Sequence, residues 1–309
     1  MSTKTLFIDE MKKSAKNRKI LGFSVHYSVE RVDITRDDLE TAFDDAGLDD
    51  TFLPRHVTMK KAFTRCLGKL AKEPGIILRK VMTAEMNPDL VVYRIVSEST
   101  EDASIDVEGY SVERDTVYTK DNLVVFDKKD HTIAFEGSMY RAQIKRAFKE
   151  IFDSQLYSTR DIRRMLDDIM IRLGSVKIVS RGGGYFAPMG DYDILGDVET
   201  MCRNINKNLT TKVSGVTFLA LPIARNKEGE ERTKKLAIND IKSQLVKLKE
   251  EIDTIDIESP RVDVTLRKKL EEFTNLRNIV AVYSANLKFD AEDIENDIDE
   301  LESAIMNIE

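Results

Sequence analysis

Between Leu21 and Val29 the apolar residues Phe23, Val25, Tyr27 and Val29 alternate with polar ones. A period of two predicts a strand with one buried face. A helix follows: Thr35 and Asp38 suit its open N-terminus, Leu39, Ala42, Phe43 and Ala46 form its inner face, and Gly47 suits a left-handed end. Thr58 precedes a second helix, on which Met59, Ala62, Phe63, Cys66, Leu67 and Leu70 make one apolar stripe.

Residues 76–82, 90–97, 105–113, 123–126 and 132–135 then read as strands without intervening helices, which predicts antiparallel pairing. Two further helices carry Tyr140, Ile144, Ala147, Phe148 and Ile151, then Ile162, Met165, Leu166, Ile169, Met170 and Leu173. Ser158 with Asp161 resembles a capping box, and Gly174 supplies the stop. A strand over 176–180, a tip at Arg181, Gly182, Gly183 and Gly184, and a strand over 185–188 come next. Helix, helix and glycine-tipped hairpin is the order of a winged-helix-like segment. A helix over 193–209 and a strand over 213–222 close the body.

The last block changes period. Ile241, Leu245, Leu248 and Ile252 follow a 4, 3, 4 spacing, and Ile294, Ile298, Leu301 and Ile305 follow 4, 3, 4 again. Such seams must be covered, either inside one chain as a helical bundle or between chains as a coiled coil. These eight residues are therefore the candidate oligomer or partner interface, with turns expected at Pro260 and at 288–290. The fold class is α+β: an antiparallel sheet with helices, then a C-terminal helical bundle. Four segments are expected: a basic N-terminal segment over 1–20, an α+β domain over 21–137, a helical winged-helix-like segment over 138–222 and an acidic helical segment over 230–309.

Composition adds little to the fold and more to the setting. The 309 residues are 41% hydrophobic and 33% charged, which fits a folded chain with a heavily charged surface. Cys66 and Cys202 both sit on apolar stripes, so no disulfide and a reducing compartment are expected. Residues 1–19 hold no signal-like apolar run and no segment reaches a membrane-spanning length, so a cytoplasmic protein without a membrane partner is expected.

His26, His56 and His131 show no metal-ligand spacing, and no H-E-x-x-H, C-x-x-C or G-x-S-x-G occurs. No metal, no cofactor and no catalytic residue are expected. The glycine run lacks the lysine and the following helix of a phosphate-binding P-loop, so turn geometry explains it, with a wing touching a partner as the alternative.

Charge is more telling. Between residues 138 and 188 ten basic residues face five acidic ones, in a chain whose net charge is −7. Arg160, Arg163, Arg164, Lys177, Arg181 and Tyr185 are the candidate nucleic-acid contacts, with cations for phosphates and an aromatic ring at the wing. The competing account is a solvated surface whose cations pair with the tail over 290–309, which has nine acidic residues and no basic one. That acidic face could equally meet a basic partner.

The run Arg181, Gly182, Gly183, Gly184, Tyr185, Phe186, Ala187 and Pro188, with Asp45, Ala46, Gly47, Leu48, Phe52, Leu53, Pro54, Ala62 and Phe63 before it, resembles an uncharacterised family of bacteria and their phages. The resemblance implies a phage or mobile-element setting and no defined chemistry. The leading expectation is a non-enzymatic protein-interaction and oligomerisation protein, such as an accessory factor engaging a host or defence complex. The alternative is a nucleic-acid-binding protein acting through residues 138–188.

Overall fold

The computed structural model describes residues 20–82, 87, 89–105, 112–137, 139–179, 182–188, 192–209, 215–256 and 262–306. Arg181 and nearly all of the basic segment 1–20 lie outside them. The strands are β1 (Ile20–Glu30), β2 (Asp33–Ile34), β3 (Ile76–Met82), β4 (Leu90–Ile105), β5 (Val112–Asp127), β6 (Thr132–Glu136), β7 (Tyr157–Ser158), β8 (Val176–Lys177), β9 (Gly183–Pro188) and β10 (Gly215–Ala224). The helices are α1 (Arg36–Asp44), α2 (Met59–Leu70), α3 (Arg141–Asp153), α4 (Thr159–Arg172), α5 (Tyr192–Asn208), α6 (Lys227–Asp253), α7 (Val262–Leu287) and α8 (Glu292–Met306). The chain is α+β with antiparallel sheets and C-terminal helices.

It divides into two compact units: one built from the chain up to Val32, Asp38–Pro54 and the chain from Ser158 onward, the other from Asp33–Asp37 and Arg55–Tyr157. The boundaries expected at 137/138 and 222/230 do not separate these units. The physical reason is the pairing of β1, which joins strands far along the chain rather than its sequence neighbours.

In the first unit β1 is central, antiparallel to β10 on one side and to β9 on the other, with β8 beyond β9. Phe23, Val25, Tyr27 and Val29 are buried as the alternation requires, as are Tyr185, Ala187, Val216 and Phe218 on the neighbouring strands. Helices α4 and α5 pack on this sheet. A side chain meets the backbone at one point on each sheet edge. The Asn206 amide bonds the N–H and C=O of Val216 at 2.7 and 2.8 Å, and Asp240 of α6 accepts the Lys177 N–H at 3.0 Å.

This sheet corrects the winged-helix reading. The hairpin is no free wing, because β9 is an interior strand, and Tyr185 is 3% exposed rather than offered at a tip. Only Gly182 serves the turn, with φ +90°. Gly183 and Gly184 lie in β9 and are required by packing: a Cβ on Gly183 would stand 2.6 Å from the Tyr27 ring, and one on Gly184 2.5 Å from Val179.

The C-terminal helices belong to the same core. Ile241, Leu245, Leu248 and Ile252 of α6 and Ile294, Ile298 and Ile305 of α8 are buried, with Leu301 packed against them, in a cluster that includes Phe273, Leu276, Ile279, Val280 and Tyr283 of α7. Leu21, Val176 and Phe186 of the sheet complete that cluster. The Tyr283 hydroxyl accepts the Val176 N–H at 3.2 Å and donates to the Phe186 carbonyl at 2.9 Å. Lys269 pairs with Glu251 across α7 and α6. The candidate oligomer interface is thus an intrachain seam, and the helices are not a separable appendage. The heptad spacing holds, but its partner helices lie within the chain.

In the second unit β3–β4–β5–β6 form an antiparallel meander, and α2 packs against α3. Phe63 of α2 stacks on Phe126 at 5.2 Å and tilts against Tyr93 at 6.3 Å. Of the strand expected over 105–113, only the ends are described. β4 runs on to Ile105 and β5 begins at Val112, while 106–111 lie outside the described residues.

Candidate nucleic-acid interface

Helix α4 carries the site. Asp161 accepts the Ser158 N–H at 2.8 Å and closes the capping box expected from the sequence, and Gly174 at φ +65° follows the far end. Ile162, Met165, Leu166, Ile169 and Met170 turn inward and are buried. The helical period then leaves Arg160, Arg163 and Arg164 exposed on one outward face.

Two contacts fix that face against the end of β1. The Arg163 guanidinium donates to the Val29 carbonyl at 3.0 Å, and Thr159 accepts the Val32 N–H at 2.9 Å. Between those two anchor points stands Arg31, exposed and at φ +47°, where the chain turns away from the strand. Four arginines therefore gather at one corner of the first unit. Among the described residues none of Arg31, Arg160, Arg163 and Arg164 makes an ion pair.

Of the carboxylates on α4, Asp161 closes the cap, Asp168 is exposed four residues from Arg164, and Asp167 is engaged by two tyrosines. Tyr27 donates to Asp167 Oδ1 at 2.5 Å, and the Tyr185 hydroxyl donates to the same oxygen. Burial first, and the Asp167 contact second, push both phenols far above the usual tyrosine range. Their rings are nearly parallel, 6.1 Å apart, and Phe218 continues the ladder at 6.4 Å from Tyr27. Asp167 lies four residues from Arg163 and three from Arg164, the spacing at which a free carboxylate would pair with them. The tyrosines hold it instead.

The six expected contacts thus separate. Arg160, Arg163 and Arg164 come together. Tyr185 is internal, and the Lys177 ammonium is spent over its ring at 5.6 Å. Arg172 of the same helix is tied to the Thr51 carbonyl at 2.7 Å and lies over Phe52. Sequence reasoning missed Arg31, Tyr27 and Asp167. The phase of β1 marks Tyr27 as buried, but nothing local marks its hydroxyl's partner, and Arg31 reads as an ordinary polar turn residue. Nor does the acidic tail cover this corner through ion pairs: Arg277 of α7 holds Asp299 and Glu302 of α8 at 2.7 and 2.5 Å.

Elsewhere on the same sheet, Ser24 and His26 share a hydrogen bond of 2.8 Å, and a trough of about 350 Å³ runs between His26, Ser28, Gly184, Val179, Thr217 and Leu219. Among the described residues no group of three or more His, Cys, Asp or Glu side chains is placed to hold a metal ion, and no helix is long and apolar enough to cross a membrane.

The chain belongs to a family of unknown function, DUF6744, whose model matches residues 20–309. No curated protein and no solved structure matches it.

Proposed function

We propose that this DUF6744 protein is a non-enzymatic binding protein, and that the arginine corner of α4 and β1 meets the phosphate backbone of a nucleic acid. The single observation behind this reading is four exposed guanidinium groups gathered at one corner, without a carboxylate partner among the described residues, in a chain whose net charge is −7. Phosphate contacts of this kind are independent of sequence and fall steeply with salt. Fluorescence anisotropy with a labelled 30-base-pair duplex tests the reading. Binding at low salt that weakens as salt rises, and that is lost when Arg160, Arg163 and Arg164 become glutamine, is the expected result. Binding unchanged in that variant would refute it.

Self-association is a second reading, relocated from the helical seams to the open sheet face. Leu219 and Leu221 of β10 are 47% and 48% exposed beside the trough, an apolar surface suited to a second copy of the chain. Light scattering should then give a dimer that Leu219→Glu with Leu221→Glu converts to a monomer. A phage or mobile-element setting, implied by the sequence resemblance, belongs to this same proposal.

A further inference from the structure

Resting on the phosphate reading above, the geometry points to a narrower ligand class: we infer that the arginine corner selects double-stranded nucleic acid over single strands. Proteins that favour single strands join a cationic groove to aromatic side chains on which unpaired bases stack. The sequence has no tryptophan, and among the described residues every phenylalanine and tyrosine with an assigned exposure is buried or partly buried. Of the rings beside α4, Tyr185 is turned inward and fixed through Asp167, and Phe52 is partly buried beneath Arg172. Among the described residues the corner therefore has charge without an open stacking platform.

A surface of charge alone responds to charge density. A duplex presents about one phosphate per ~1.7 Å of axis, and neutralising each one releases more bound counterion than on a single strand. The backbone that carries the corner is also held. Arg160 and Arg164 are separated by about 6 Å along a capped helix, Arg163 is pinned to Val29, and Arg31 is set by the turn between two anchored residues. Cations carried on a fixed backbone suit a stiff, regular row of phosphates better than a flexible strand, which loses more conformational freedom on being held.

The experiment compares the full chain on a 30-base-pair DNA duplex, an RNA duplex and an unstructured single strand, over a salt series, with poly-L-glutamate as competitor. Four phosphate contacts predict a slope of log affinity against log salt of at most ~3.6 in magnitude on duplex and ~2.8 on a single strand. The duplex should bind several-fold more tightly, and Arg160→Gln and Arg31→Gln should each lower its slope by about 0.9. Arg160→Gln removes an exposed side chain with no partner, so its folding is not at issue, and circular dichroism checks it. Single strands bound as tightly as duplexes, with slopes that still follow the arginines, would overturn the selectivity and leave the phosphate reading standing. No binding to any nucleic acid, or slopes indifferent to both variants, would overturn both. Poly-L-glutamate competing as well as duplex, charge for charge, would point to an acidic protein and overturn both as well.

Discussion

Tyr27 and Tyr185 converge on one oxygen of Asp167, and the consequence can be titrated. Folding raises both phenol pKa values, so the folded chain keeps protons that the unfolded chain releases near pH ~10. Below that pH both states are neutral and stability is unaffected. Above it the unfolded state binds fewer protons, so stability falls as pH rises. Phenolate absorbance should show two tyrosines that ionise only with unfolding, and Tyr27→Phe with Tyr185→Phe should flatten the alkaline loss. Free titration of every tyrosine near pH ~10 in the folded protein would contradict this. Gly183 supports the same arrangement by leaving space for the Tyr27 ring. Gly183→Ala should therefore destabilise the protein by ~1–3 kcal/mol in urea unfolding. At this scale the sequence discloses which residues face inward but not which polar atoms meet there. Asp167 sits on an arginine-rich helix and reads as a surface acid, because its two tyrosine partners lie 140 and 18 residues away.

Elements with local causes were legible. Thr58 caps α2, Ser158 and Asp161 cap α4, and the 3.5-residue seam of α6 is buried as its spacing demands. Elements defined by distant partners were not. β1 alternates correctly, yet nothing within it names β9 and β10 as neighbours, and the seams of α6 and α8 say only that they are covered, not by what. The structure assigns that cover to α7 and the sheet, so Leu245→Asp with Ile298→Asp should unfold the helices without changing the oligomeric state. Light scattering and circular dichroism together read that outcome; a smaller, fully folded species would mean an interchain seam. Tyr283 is the sharper probe of the join between bundle and sheet. Tyr283→Phe leaves the Val176 N–H and the Phe186 carbonyl without their buried partner, at a cost of ~1–3 kcal/mol. Urea unfolding should show that loss in the midpoint. An unchanged midpoint would mean the bundle is not stapled there.

At the scale of the molecule, cationic and anionic groups are kept apart within one unit. The outward acids of α8 are answered in part by Arg277, and Asp167 by tyrosines, so the arginines beside it keep their charge for something else. Uneven charge along the chain was visible in the sequence; that Arg31 joins the cluster while Tyr185 leaves it needed the turn after β1 and the burial of β9. Hydrogen exchange on the intact protein, with and without the 30-base-pair duplex, tests the arginine corner and the internal seams together. The account predicts slow exchange over 241–252 and 294–305 in the free protein, unchanged by duplex, and new protection confined to 28–33 and 159–172. Rapid exchange along the seams, or protection at 217–223 with none on α4, would contradict it.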